Sequence, residues 1–105
     1  MTEHRVASIN DLPQGKKLCT SIGERKILLC HTATGLFAVD AMCTHAEESL
    51  ELGKVKGNRI ICPLHGAAFD LASGEALSRP ARDPLRSYPV RLDGDNIFIT
   101  LAANS

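Results

Sequence analysis

Two short segments of the sequence each combine one cysteine with one histidine. Cys43 and His45 are separated by one residue, Cys62 and His65 by two, and 16 residues lie between the two segments. Thiolate and imidazole groups both bind transition metals such as zinc, iron and copper. In spacings this short, both side chains of a pair can reach one small object beside the backbone. The pattern therefore indicates a metal centre that two loops share.

Three interpretations of these four residues compete. If all four were ordinary interior residues, two matched pairs would have to arise by chance. A structural zinc site also takes two cysteines and two histidines, but its usual pattern groups cysteine with cysteine and histidine with histidine. A two-iron cluster in which histidines replace two cysteines on one iron fits a set in which each loop supplies one of each. The spacing favours this iron–sulfur interpretation over zinc.

With its neighbours, this ligand pattern resembles the Rieske [2Fe–2S] family. The segment Cys62-Pro63-Leu64-His65-Gly66-Ala67-Ala68-Phe69-Asp70, with Ser73-Gly74 after it, is similar to the second cluster loop of that family and the strand that follows. The resemblance implies one [2Fe–2S] cluster. It implies that Cys43 and Cys62 bind the inner iron, and that His45 and His65 bind the outer iron and face solvent. The third, proline-bearing loop of the family would correspond to Ser78-Arg79-Pro80-Ala81.

Within this family, the sequence is most similar to the small ferredoxins of bacterial aromatic-ring dioxygenase systems. That resemblance implies a one-electron carrier, not an enzyme, which takes electrons from a flavin-dependent ferredoxin reductase and passes them to a terminal oxygenase. Both contacts would be transient, and the carrier would be a monomer. A structural small subunit of a reductase such as nitrite reductase is the main alternative, although such subunits commonly lack the metal ligands. A carrier for another oxygenase system is a second alternative.

Four positions near the cluster loops bear on the redox potential. High-potential relatives carry an extra cysteine in each cluster loop, where this chain has Glu48 and Leu64, and a serine and a tyrosine where it has Ala67 and Phe69. Hydroxyl donors aimed at the cluster sulfurs stabilise the more negative reduced state. We therefore expect a potential near the lower end of the family range, at about −150 mV.

Composition excludes several other classes of protein. The chain has 105 residues with 12 basic and 12 acidic side chains, so it has no net positive charge. This balance does not favour nucleic acid as a binding partner. Residues 1–5 are too polar to begin a secretory signal, and no apolar stretch is long enough to span a membrane. These features predict a cytoplasmic protein. Its other two cysteines, Cys19 and Cys30, fall in apolar runs and are predicted to be buried free thiols.

Short apolar runs between glycines and prolines surround the predicted loops. No segment keeps a helical period for three turns, so the sequence predicts an all-β fold: a small antiparallel β-sandwich with a cluster-binding subdomain of loops and short strands. The predicted strands are 5–9, 16–21, 25–31, 36–39, 59–61, 67–70, 85–92 and 96–101, within a single domain over 1–105 whose cluster-binding part lies at about 41–76. Asp93-Gly94-Asp95 predicts a tight hairpin, and Pro89 predicts an edge or a bulge.

Charge is distributed unevenly along the chain. Residues 40–51 contain Asp40, Glu47, Glu48 and Glu51 and no basic side chain, whereas residues 79–91 contain four arginines and one aspartate. These stretches can be ordinary solvated faces, or the acidic stretch can steer docking to basic surfaces of a partner.

Overall fold

A computed structural model describes residues 2–42, 49–63, 66–77 and 83–101, and over these ranges the chain forms ten β-strands. The strands are β1 (Thr2–Ser8), β2 (Lys17–Ile22), β3 (Arg25–Thr32), β4 (Gly35–Asp40), β5 (Lys54–Lys56), β6 (Arg59–Ile61), β7 (Ala68–Asp70), β8 (Ser87–Tyr88), β9 (Val90–Asp93) and β10 (Asn96–Leu101). Two 3₁₀ turns, Ile9–Asp11 and Leu50–Leu52, are the only helical segments in these ranges. The predicted all-β class is confirmed.

The strands form three antiparallel sheets. A middle sheet has the order β2-β3-β4-β8, an outer sheet has the order β1-β10-β9, and a small sheet has the order β5-β6-β7. The middle and outer sheets enclose one apolar core and form the predicted sandwich. We call the residues of these two sheets the sandwich, and residues 49–63 and 66–77 the small-sheet region.

Strand β3 explains how one sheet serves two cores. Ile27, Leu28, Leu29 and Cys30 are all fully buried, which is typical of a strand covered on both faces. Successive side chains of a strand point to opposite faces. Ile27 and Leu29 accordingly pack into the core between the middle and outer sheets, whereas Leu28 and Cys30 pack towards the small-sheet region.

Each core is a contiguous cluster of buried side chains. The sandwich core contains Ala7, Leu12, Ile27, Leu29, Ala38, Tyr88, Ile97 and Ile99. The small-sheet core contains Leu28, Cys30, Val39, Ala41, Leu50, Ile60, Cys62, Ala67, Phe69, Leu71 and Leu85. The second cluster includes Cys62, so the predicted metal-binding region has its own core on the far side of the middle sheet.

Three predicted features of the strand pattern differ from the structure. The first strand, predicted over 5–9, spans Thr2–Ser8 because its N-terminal residues pair with β10, and Ile9 begins a 3₁₀ turn. Strand β5 was not predicted, because the segment Lys54-Val55-Lys56 offers a single apolar residue to the period-2 pattern. The predicted strand 85–92 is two strands, since Pro89 lacks an N–H and the chain passes there from the middle sheet to the outer sheet. The Pro89 carbonyl still accepts a hydrogen bond from the Thr100 N–H at 3.0 Å.

The hairpin between β9 and β10 was predicted from its turn residues and is confirmed. Asp93 pairs with Asn96 across the two-residue turn Gly94-Asp95, and Gly94 has a φ of 60°. A turn of this type requires positive φ, which glycine adopts without a steric penalty.

Over the four described ranges, no helix is long and apolar enough to cross a membrane.

Candidate metal centre

Cys62 is the one predicted ligand that lies within the described residues. It follows β6 directly, is 1% exposed, and belongs to the small-sheet core. The other three predicted ligands, Cys43, His45 and His65, lie outside the described residues, as do Glu47, Glu48, Leu64 and residues 78–82. The structure therefore shows how the ends of the predicted loops are held.

The second predicted loop is closed at its base by one short hydrogen bond. The Cys62 N–H donates to the Ala67 carbonyl at 2.7 Å, and the chain then enters β7. Gly66 has a φ of 69°, in the left-handed region that glycine adopts most readily. This closure fixes both ends of the segment whose sequence includes His65.

The first predicted loop is also pinned at both ends. The Leu50 N–H donates to the Ala41 carbonyl at 2.6 Å, and Met42 pairs with Ser49 in an isolated antiparallel bridge. Ala41 and Leu50 are fully buried in the same cluster as Cys62. The bases of the two loops thus arise from one core, on the side of the middle sheet that carries the small sheet.

Gly53 brings the chain that follows the first loop directly against β6. A Cβ built on Gly53 would lie 2.1 Å from the Ile61 carbonyl oxygen, immediately before Cys62. Its φ of −79° is open to any residue, so this position requires the absence of a side chain and not an unusual backbone. The sequence analysis did not identify Gly53, because a close backbone approach leaves no local pattern.

A second close approach ties down the segment around the predicted third loop. A Cβ on Gly74 would lie 2.0 Å from the Leu85 carbonyl oxygen, and the Leu85 N–H donates to the Gly74 carbonyl at 2.7 Å. Directly before residues 78–82, the Leu77 N–H donates to the Ala68 carbonyl at 2.8 Å. Both ends of the stretch that contains residues 78–82 are therefore held to the small-sheet region.

A polar network joins the end of β4 to β8. The part-buried Tyr88 hydroxyl donates to the Asp40 carboxylate and accepts from Arg25 Nη1 at 2.9 Å. Burial raises the pKa of Tyr88, the hydrogen bond to Asp40 raises it further, and Arg25 opposes both. The Asp40 N–H also donates to the Arg86 carbonyl at 2.9 Å. The network holds the strand end that leads into the first predicted loop, and the sequence analysis missed it.

The chemistry of Cys62 fits a metal ligand. Among the described residues, its sulfur has no disulfide partner. A buried thiolate needs a compensating positive charge, which a coordinated metal supplies. No three His, Cys, Asp or Glu side chains converge within the described ranges, so the ligand set beyond Cys62 stays a prediction.

Cys19 and Cys30 pack in or against the same core as Cys62, but they lie on β2 and β3 and not on a predicted cluster loop. Cys30 is buried as predicted, whereas Cys19 is only half-buried. Cys19 pairs with Leu28, as predicted, and forms no disulfide with Cys30. Burial raises the pKa of Cys30 to about 12, so its thiol stays protonated at neutral pH. Both behave as small apolar side chains of the middle sheet.

Comparisons with known proteins point to one family. The model of the Rieske [2Fe-2S] domain matches residues 2–89. The 3-phenylpropionate/cinnamic acid dioxygenase ferredoxin subunit of Photorhabdus laumondii subsp. laumondii is 38% identical to this chain, over 97% of each.

Solved structures agree with the sequence comparison. The ferredoxin of carbazole 1,9a-dioxygenase from Nocardioides aromaticivorans superimposes with a TM-score of 0.89 at 29% identity, covering 94% of this chain and 97% of that one. A chain in the complex of reduced oxygenase and oxidized ferredoxin of carbazole 1,9a-dioxygenase superimposes with a TM-score of 0.86 at 26% identity, covering 92% and 91%.

Proposed function

Because the chain belongs to the family of Rieske [2Fe–2S] domains, we propose that it carries single electrons from a flavin-dependent ferredoxin reductase to the terminal oxygenase of a multicomponent aromatic-ring dioxygenase. The electron-carrier role and a single [2Fe–2S] cluster follow from its family and its ferredoxin relatives. The observation that carries the proposal is the 38% identity, over 97% of both chains, to a dioxygenase ferredoxin subunit.

We assign the cluster to the four residues that the spacing identified. Cys43 and Cys62 would hold the inner iron, and His45 and His65 the outer iron. The burial of Cys62 and the common core beneath both loop bases support this assignment. When bound, the cluster accepts and releases one electron at a time.

The described residues of the second predicted loop differ in exposure. Cys62 and Ala67 are buried at the loop base, whereas Pro63 is exposed at the start of the loop. Pro63 and Leu64 would give a docked protein a small apolar contact beside the outer iron. Such contacts are weak, as a shuttle that must release each partner requires.

The remaining assignments follow from this role. We propose a single cytoplasmic domain over residues 1–105, whose cluster-binding part lies at about 41–76. It would act as a monomer, bind its reductase and oxygenase transiently, and catalyse no reaction alone. The pathway would be the catabolism of aromatic compounds.

Reconstitution with both partner proteins tests the proposal. We expect the purified holoprotein to be reduced by a flavin-dependent ferredoxin reductase and reoxidised by a ring-hydroxylating oxygenase, with product formed when all three are present. Omission of the ferredoxin should abolish product formation. A colourless protein with no iron would instead favour the structural-subunit alternative, and a holoprotein that exchanges electrons with neither partner would contradict the proposal.

A further inference from the structure

Four of the five lysines in the chain line one surface groove. Lys16 and Lys17 lie at the start of β2, Lys54 and Lys56 lie on β5, and Gly15, Gly53 and Val55 complete the lining. The two pairs are far apart in sequence and meet because the small sheet packs beside the middle sheet. We call this surface the lysine groove. The linear sequence showed no basic run here, so the cluster arises from the fold.

None of the four lysines of the groove forms an ion pair with a carboxylate within the described part of the chain. The ion pairs there join Arg91 to Glu3 and to Asp93 and involve none of the four lysines. Lys16, Lys54 and Lys56 are exposed. Because the whole chain has no net charge, this concentration of ammonium groups makes the groove a local region of positive charge.

The lysine groove lies next to the proposed metal centre. Gly53 lines it, and the same Gly53 backs onto the Ile61 carbonyl just before Cys62, where a Cβ would come within 2.1 Å of the oxygen. A protein bound in the groove would therefore contact the base of the second predicted loop, on the side of the inner iron. The electron would still pass through the outer iron, so the groove would supply a charged contact at the side of the centre.

An exposed apolar side chain adjoins the groove. Leu52 directly precedes Gly53 and is 70% exposed, the highest value among the large exposed hydrophobic side chains in the described ranges. Protein interfaces combine an apolar contact with a polar, charged rim, whereas binding of phosphate groups alone needs no apolar contact. The combination favours a protein surface as the occupant.

We propose that the lysine groove docks the carboxylate-bearing surface of a redox partner protein, with Leu52 as the apolar contact. The inference rests on the proposed function, since it takes the occupant to be one of the two proteins that exchange electrons with this chain. It also extends the sequence-based expectation, in which the acidic stretch at 40–51 steers docking, by adding a surface of opposite sign. Opposite charge across the interface raises the association rate more than the lifetime of the complex.

Lys26, the fifth lysine, provides a matched control. It lines a different groove, where Glu24 and Asp40 also contribute, so its surroundings carry both signs of charge. Lys54→Glu and Lys26→Glu change the net charge of the protein equally. A difference between them therefore reports the location of the charge and not its amount.

The experiment measures electron transfer by stopped-flow spectroscopy of the cluster, using the holoprotein, the reductase and the oxygenase. With one of the two partners, we expect Lys54→Glu to lower the second-order rate constant about tenfold at low ionic strength. The difference in rate constant between Lys54→Glu and the wild type should shrink towards 1 M salt, where the Debye length falls to about 3 Å. Lys26→Glu should stay within about twofold of the wild type under the same conditions. Leu52→Ser should lower the rate at every salt concentration, because an apolar contact is not screened.

Each contrary result has a distinct meaning. If Lys54→Glu and Lys26→Glu have the same second-order rate constants with both partners, the lysine groove is not the docking surface and the inference is overturned. It is also overturned if Lys54→Glu abolishes binding of a single-stranded oligonucleotide while both electron-transfer rates stay unchanged, since the occupant is then a nucleic acid. If the wild-type protein exchanges electrons with neither partner, the proposed function itself has failed. Unchanged iron content and midpoint potential in each variant establish that the site is intact.

Discussion

The two cores on either side of the middle sheet are built in different ways. In the sandwich, strands such as β2 and β3 pair over six residues, and alternate side chains fill the core. In the small-sheet region each strand has three residues, and the chain is closed by backbone contacts at Gly53 and Gly74. The sandwich thus has the extended pairing that stabilises a sheet by itself, whereas the small-sheet region has little pairing and carries the proposed ligand Cys62. We infer that metal binding and folding are coupled in the small-sheet region and not in the sandwich.

Removal of the Cys62 thiol should have the largest effect. It should affect the small-sheet region, which binds the metal, and leave the sandwich folded. Cys62→Ser removes a thiolate that the iron needs, so we expect complete loss of iron and of visible absorbance. The sandwich should keep its β-sheet circular dichroism, because its core contains no proposed ligand. Iron analysis and far-ultraviolet circular dichroism measure the two effects.

Cys19→Ser is the control for that substitution. Cys19 is half-buried beside the small-sheet core and is not a proposed ligand, so this variant should keep its iron. Full iron content in Cys62→Ser, or unfolding of the whole chain on metal loss, would contradict the division into two regions.

The second largest effect is expected on stability, when a glycine of each region is replaced by alanine. In Gly53→Ala the Cβ would lie 2.1 Å from the Ile61 carbonyl oxygen, so the backbone must shift. We expect the free energy of unfolding to fall by about 3 kcal/mol. Gly23→Ala, in the turn between β2 and β3, has open space around its Cβ and a φ of 62°. It should cost about 1–2 kcal/mol, from the left-handed backbone alone. Urea denaturation of the holoproteins compares them, and equal costs would mean that the close approach at Gly53 is not rigid.

The Tyr88 hydroxyl links Asp40 and Arg25 at the edge of the sandwich core. Tyr88→Phe leaves the Asp40 carboxylate and the Arg25 guanidinium without their shared partner, so it should destabilise the fold by about 1–2 kcal/mol. Tyr88 belongs to the sandwich core and not to the small-sheet core, and the Asp40 N–H keeps its hydrogen bond to the Arg86 carbonyl, so the iron content should not change. Loss of iron in this variant would show that the network reaches the metal centre.

The same hydroxyl predicts a dependence on pH. Burial and the bond to Asp40 raise the pKa of Tyr88 above its ordinary value of 10.0, so the folded chain holds this proton more tightly than the unfolded chain does. Its contribution to stability is therefore complete below pH 10 and is lost as the pH rises through the folded-state pKa. The stability difference between wild type and Tyr88→Phe should narrow above about pH 10. Denaturation at several alkaline pH values measures it, and a constant difference would contradict the assignment.

The smallest expected effect is on the redox potential. Phe69 is fully buried in the same cluster as Cys62 and stands where high-potential relatives carry a tyrosine. If Phe69→Tyr donates a hydrogen bond of about 1 kcal/mol to a cluster sulfur, the potential rises by about 40 mV for a one-electron couple. Phe98→Tyr, in the sandwich, should leave it unchanged. Redox titration measures the potentials of both variants. Equal potentials would contradict the explanation that a missing hydroxyl donor at this position lowers the potential.

Features that depend on local chemistry were predictable from the sequence. The β9–β10 hairpin followed from Asp93-Gly94-Asp95, and the pairing of Cys19 with Leu28 followed from counting back from the Gly23 turn. The spacing of two Cys–His pairs indicated a metal centre, and the resemblance of these pairs and their neighbours to a known motif identified the family and its cofactor.

Features that depend on tertiary packing were not predictable. Strand β5 has one apolar residue, and it is a strand because β6 pairs with it. Gly53 is required by the proximity of Ile61, and the lysine groove forms only when β2 and β5 are brought together. In each case the determining neighbour is distant in sequence or lies on another strand, so no local pattern reveals it.

Electron paramagnetic resonance of the dithionite-reduced protein, with iron and acid-labile sulfide measured on the same sample, tests the central assignment most directly. We predict two irons and two sulfides per chain, and a signal with hyperfine couplings from two nitrogens; replacing either His45 or His65 should remove one of the two couplings or abolish the cluster and its signal. A signal without nitrogen coupling, or a protein that contains zinc and gives no signal, would contradict the assignment of these histidines to one iron of the cluster.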